Sequence, residues 1–140
     1  MEKVTKTVLD DGTIEYRNSN RELHRIDGPA VEWENGYKSW YLNGQFHRID
    51  GPAREWPAGS KEWYVNGELH REDGPAIEYK NGYKAWYING QKLTEQEFND
   101  KMNIKPDIKS DNVSTSHDID FTYESKMITS INEFKKHLKK

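Results

Sequence analysis

Between residues 30 and 93, apolar and polar residues alternate in short runs, and each run is broken by turn residues such as Asn-Gly or Asp-Gly. Alternation with a period of two marks a half-buried strand, because successive side chains point to opposite faces of a sheet. Asn-Gly at 35–36 predicts a two-residue type I′ hairpin turn, in which both central residues need φ above zero. That turn sets Trp33 opposite Lys38, Glu32 opposite Ser39, Val31 opposite Trp40 and Ala30 opposite Tyr41. Val31, Trp33, Trp40 and Leu42 then share one face, and Ala30, Glu32, Ser39 and Tyr41 share the other. A second Asn-Gly at 43–44 predicts a short third strand, with His47 on the Trp face and Phe46 on the Tyr face.

The pattern repeats. Asp-Gly-Pro-Ala begins at Asp27, Asp50 and Asp73, a period of 23 residues. The same period relates Trp40, Trp63 and Trp86, then Tyr41, Tyr64 and Tyr87, then His24, His47 and His70. It extends the Trp face to Trp56, Val65, Ile77, Tyr79 and Ile88. Leu93 stands where a fourth His is due, so the array is expected to stop there. An imperfect earlier copy runs from Asp11-Gly12 to His24 with one extra residue and no Trp, as a terminal capping repeat often does. Pro57-Ala58-Gly59 replaces Asn-Gly in the middle copy and predicts a distorted hairpin. In each Asp-Gly-Pro-Ala loop, Gly is expected to supply φ above zero and Pro to end the ladder.

These expectations amount to a mainly β fold with a C-terminal α part: an elongated antiparallel sheet of tandem hairpins over residues 1–93, with 1–20 as a degenerate cap. Residues 94–140 form a helical and linker region. Thr94-Glu95-Gln96-Glu97 is a capping box that starts a helix from Glu95 to about Met102. Residues 103–119 read as a linker, 120–123 as a short strand, and 128–139 as a helix with Ile128, Ile131, Phe134 and Leu138 on one stripe. A single-layer sheet exposes both faces, so these helices are expected to cover one of them, in the same chain or in a dimer partner.

Composition narrows the function. The chain has 33% hydrophobic, 32% charged and 12% aromatic residues, so its burial rests on aromatic rings. There is no cysteine, which excludes disulfides and thiolate metal sites and fits a reducing cytoplasm. No apolar run of transmembrane length and no signal-peptide stretch occurs, so a cytoplasmic protein without membrane contact is expected. Residues 1–93 hold 13 basic and 15 acidic residues, a balance of −2 that argues against nucleic acid as a partner.

The periodic histidines invite a metal, but equivalent residues two strands apart are about 10 Å from each other, too far to share one ion. They are expected to pack beside Trp and, with Asp27, Asp50 and Asp73, to anchor the loops. His47 near Asp50 suggests a general base, yet catalysis needs one organised constellation and not three near-copies. No enzyme activity, cofactor or metal is expected. The candidate partner-binding residues are Trp40, Trp63, Trp86, Tyr41, Tyr64, Tyr87, Arg48 and Arg71, the aromatic and Arg types that dominate interface hot spots.

Trp-Tyr-x-Asn-Gly-x-x-His-Arg, present at Trp40–Arg48 and Trp63–Arg71, resembles the MORN-type repeat, and more closely its divergent MORN-like variant. The departure is His-Arg-x-Asp-Gly-Pro-Ala, where MORN proteins usually show a Gly after the His. This form is similar to arrays in tailed phages and large DNA viruses. The resemblance covers about half the chain and implies an elongated hairpin sheet that serves as a scaffold or a partner-binding surface. It implies a phage accessory protein that binds and inhibits a host defence protein in the host cytoplasm. The alternatives are a scaffold that self-associates through strand edges or the C-terminal helices, and a single-stranded nucleic-acid binder that stacks bases on its aromatic stripes.

Overall fold

A computed structural model describes residues 2–103. The chain forms thirteen described strands and one helix. β1 (Thr5–Val8) and β2 (Ile14–Arg17) make the first hairpin. β3 (Val31–Glu32), β4 (Lys38–Ser39), β5 (Tyr41–Leu42) and β6 (Gln45–Phe46) form the next unit. β7 (Arg54–Glu55), β8 (Lys61–Glu62), β9 (Tyr64–Val65) and β10 (Glu68–Leu69) repeat it. β11 (Ile77–Glu78), β12 (Lys84–Ile88), β13 (Gln91–Leu93) and α1 (Glu95–Asn103) close the series.

Nine strands make one antiparallel sheet in the order β1-β2-β3-β4-β7-β8-β11-β12-β13. The small hairpins β5–β6 and β9–β10 stand beside it as a second row. Backbone bonds such as Arg48 N to Tyr64 O (3.0 Å) and Gly67 N to Phe46 O (2.9 Å) join each small hairpin to the next.

The register corrects the expected pairing by one residue. Val31 lies opposite Ser39 and Glu32 opposite Lys38. The reason is the turn. Gly36 N donates to Trp33 O and Trp33 N to Tyr37 O, both 2.9 Å, so the loop holds three residues, Glu34 to Gly36. A type I turn followed by one left-handed residue makes that loop, and Gly36, at φ 89, is the left-handed one. The same bonds recur around Gly12, Gly59 and Gly82. The middle hairpin is therefore not distorted: Pro57 takes the second position of a type I turn, which its fixed φ favours. Only the second turn of each unit is type I′, with Asn43 at φ 48 and Gly44 at φ 79. In the first unit a three-residue loop, with Arg21 at φ 64, absorbs the extra residue.

A one-residue slip moves side chains to the opposite face. Trp33, Trp56 and Tyr79 accordingly do not join the Trp face. Trp33 and Trp56 both contact the Tyr37 ring, and the Tyr79 hydroxyl reaches Glu62.

Three rows of cross-strand neighbours cross the middle of the sheet, from β2 or β3 to β12. Glu32, Lys38, Glu55, Lys61, Glu78 and Lys84 alternate in charge from strand to strand. Opposite charges directly across a ladder contribute roughly 0.2–1 kcal/mol per pair. On the other face run Val31, Ser39, Arg54, Glu62, Ile77 and Ala85. The third row, on the charged face, carries Tyr16, Ala30, Trp40, Ala53, Trp63, Ala76 and Trp86. Its alanines Ala30, Ala53 and Ala76 are each 0% exposed.

The capping box is reciprocal: Glu97 N donates to Thr94 Oγ1 (3.1 Å), and Thr94 N to Glu97 Oε2 (2.7 Å). α1 runs to Asn103, buries Phe98 and packs against β12 and β13 at the end of the array. The rest of the expected linker, the expected strand at 120–123 and the last expected helix lie outside the described residues. No described helix is long and apolar enough to cross a membrane.

Candidate functional site

The two faces are finished in different ways. On the charged face, Arg48 lies 4.0 Å from the Trp40 ring centroid, and Arg71 lies 3.8 Å from that of Trp63. Arg25 covers Tyr16 in the same manner. Each guanidinium also clamps the loop behind it. Arg48 Nε donates to Asp50 (2.9 Å), and its Nη1 donates to Pro52 O (3.1 Å) and Glu55 (3.0 Å). Arg71 makes the same set with Asp73, Pro75 and Glu78. Arg25 beside Asp27 holds that carboxyl below its ordinary pKa.

Gly28, Gly51 and Gly74 do not have positive φ. They serve another purpose: a Cβ on Gly51 would come 2.8 Å from Arg48 Cζ. The glycine lets the guanidinium lie flat between loop and ring. The Asp-Gly-Pro-Ala loops and their arginines thus cover this face; the cover expected from the last helix lies outside the described residues. Arg48 and Arg71, expected at a partner interface, are engaged within the fold.

The histidines anchor the type I′ turns. His24 Nδ1 accepts from Asn43 N (2.9 Å), His47 Nδ1 from Asn66 N (3.0 Å) and His70 Nδ1 from Asn89 N (3.0 Å). Each ring holds the type I′ turn of the following unit, while Arg holds the Asp loop. His47 and Asp50 therefore serve separate partners. With Nδ1 accepting, Nε2 is the ring nitrogen left to donate. Among the described residues, no three His, Asp or Glu side chains gather as a metal would require.

The opposite face breaks the repeat. Arg54 and Glu62 occupy positions that are Val31 and Ser39 in one neighbour unit and Ile77 and Ala85 in the other. Arg54 Nη1 donates to Glu62 Oε2 at 2.8 Å, and Glu62 is 5% exposed. Tyr64 and Tyr79 hydroxyls donate to the same carboxylate at 3.2 and 2.8 Å, and Arg54 Nε donates to the Tyr37 hydroxyl at 2.9 Å. Donation to Glu62, with burial and the Glu62 charge adding to it, pushes the Tyr79 phenol up to about 12. Burial raises Tyr41 and Tyr64 as well. A buried charge needs such partners, since leaving one unpaired costs several kcal/mol.

Around this pair lies an aromatic stripe. Tyr41 meets Phe46 at 4.4 Å between centroids, and Phe46 meets Tyr64 at 5.1 Å. Arg54 also lies over Trp56 and Phe46, at 4.6 and 5.0 Å. Trp33 is 51% exposed, Tyr83 45% and Tyr79 38%. Of the expected binding residues, this face collects Tyr41 and Tyr64; Trp40 and Trp63 lie on the opposite face under arginines. Trp86 stands opposite Leu93 at the array end, and the Tyr87 carbonyl accepts from Arg71 N. Trp33, Tyr37, Arg54, Trp56, Glu62, Tyr79 and Tyr83 were not among the expected binding residues. The sequence signal for Arg54 and Glu62 is the failure of the 23-residue pattern at their positions.

No family model, curated protein or solved structure matches the chain.

Proposed function

We propose that this chain is a non-catalytic protein-interaction module whose binding surface is the aromatic face around Arg54 and Glu62. One observation carries the reading. This face leaves Trp33, Tyr79 and Tyr83 open to solvent around the buried Glu62 and its half-buried partner Arg54, whereas the opposite face is closed by its own loops and arginines. Contiguous exposed aromatics on a rigid sheet mark interaction sites, and Trp, Tyr and Arg are the residues that dominate them. The resemblance to MORN-like arrays of phages and large DNA viruses makes a host defence protein the proposed partner, bound and inhibited in the host cytoplasm.

Self-assembly through strand edges draws less support. The edge strand β1 carries Lys6, a residue that discourages edge pairing, and α1 packs beside the other edge. A nucleic-acid surface draws less still, because the cations alternate with carboxylates along the sheet.

Affinity purification of the full chain from host lysate tests the reading. The chain should recover one stoichiometric protein, and a Trp33→Ala, Tyr83→Ala variant should lose it. Recovery of none, or equal recovery by the variant, removes the proposal.

A further inference from the structure

The aromatic stripe has a gap where its own period calls for a ring. In the first full unit, the Tyr37 ring stands between two indoles, 5.5 Å from Trp33 and 5.2 Å from Trp56 between centroids. One period later the same positions are Trp56, Ser60 and Tyr79. Ser60 replaces the tyrosine, and its hydroxyl turns to accept the backbone N–H of Lys80 at 3.0 Å. The last unit regains the ring at Tyr83, which packs on Tyr79 at 5.6 Å. The lost ring leaves a depression of about 440 Å³ lined by Trp56, Ala58, Ser60, Tyr79, Lys80 and Asn81.

We propose that this depression is a slot for one aromatic side chain of a partner protein, flanked in the partner sequence by carboxylates. The inference rests on the interaction reading above and names what that surface takes. The chain itself shows the fit, because Tyr37 fills the equivalent space between Trp33 and Trp56. The rim sets the charge. Lys80 is exposed and pairs with no carboxylate among the described residues, and it is the one cation among the lining residues. Asn81 Oδ1 already accepts from Tyr83 N (3.0 Å), which takes up one acceptor that the hydroxyls of a sugar would use. A nucleic-acid strand would bring phosphates to a slot whose lining holds a single cation.

The test uses the full chain labelled with ¹⁵N and two peptides, acetyl-Gly-Asp-Phe-Asp-Gly-amide and its Phe-to-Ala counterpart. The Phe peptide should shift the Trp56 indole signal and the backbone signals of residues 58–60 and 79–81, with a dissociation constant of order 1 mM. The Ala peptide should leave them in place. Ser60→Tyr restores the ring that the neighbouring units carry, and it should weaken the response at least about tenfold. If that variant does not fold, Tyr79→Leu, which removes one wall, should weaken it by a similar factor.

An unmoved Trp56 signal at about 10 mM Phe peptide overturns the slot. So does an equal response to the Ala peptide, or a Ser60→Tyr chain that binds as well as the parent. A response to oligothymidylate or cellohexaose without one to the Phe peptide overturns it in favour of a base or a sugar. Affinity purification with Ser60→Tyr separates the two readings. A partner captured equally by parent and variant removes the slot and leaves the interaction module standing.

Discussion

Arg54 donates to Glu62 across 2.8 Å, at positions where the units on either side hold Val31 with Ser39 and Ile77 with Ala85. The fold does not need the charges there, because the neighbouring units make the same hairpin without them. Removing one member of a buried pair strands the other, whereas removing both is often neutral. Arg54→Val alone is expected to lower unfolding free energy by about 3 kcal/mol. Arg54→Val with Glu62→Ser, which copies the preceding unit, should recover most of that loss. Urea denaturation of the three chains measures both values. A double variant as unstable as the single one would mean that the pair holds the fold and not the site.

Tyr79 gives the same network a spectroscopic handle. Its phenol is pushed up to about 12, chiefly because it donates to Glu62. A raised value means that the protonated form is favoured in the fold. That contribution is complete below the ordinary tyrosine value of 10.0 and is lost as pH rises through about 12. Ultraviolet titration of the parent minus that of Tyr79→Phe should show one phenol ionising near the upper value. A difference curve centred at the ordinary value would deny the bond to Glu62 in solution.

Gly51 is expected to be intolerant for a reason unrelated to turn geometry. A Cβ there would lie 2.8 Å from Arg48 Cζ. The guanidinium cannot simply swing away, since it bonds Asp50, Pro52 O and Glu55 while lying over Trp40. Gly51→Ala should cost about 1–2 kcal/mol, the scale of a lost charge-assisted bond or cation–π contact. Gly59→Ala places its Cβ in open space, so its cost comes only from φ 102. Thermal melts of the two variants compare these causes, and an upfield-shifted Arg48 side-chain signal should be lost only in Gly51→Ala.

The period, the hairpins, their antiparallel order and the capping box could all be read from the sequence, because each depends on local patterns that recur. The register could not be read from Asn35-Gly36 alone, since the same dipeptide serves both turn types in this chain. Pro57 and Ala58 held the answer. They occupy the positions of Glu34 and Asn35, and neither suits the two positive φ values of a type I′ turn. Equivalent units must share a turn, so the three-residue loop follows. The site was harder to find for a related reason. Reading for repeats favours Trp40, Tyr41 and Arg48, which recur because they build every unit. Arg54, Glu62 and Ser60 are informative because they do not recur. That the arginines would cover one face needed the stacking distances themselves.

α1 should behave as the lid of the array's last unit. The period puts Thr94 where Arg71 would recur, so the last unit lacks the arginine that covers Trp63 in the unit before it. α1 begins there and buries Phe98 to 5% exposure beside β12 and β13. Phe98→Ala should cost about 3 kcal/mol, the usual scale for emptying a buried ring. In a repeat array each unit leans on its neighbours, so damage at one end loosens that end first. Amide exchange should therefore quicken at Tyr87 and Ile88 in the variant while Glu15 and Val31, six and five strands away in sheet order, keep their protection. A uniform rise along the whole sheet would show instead that the units fold as one block and that α1 stabilises all of it.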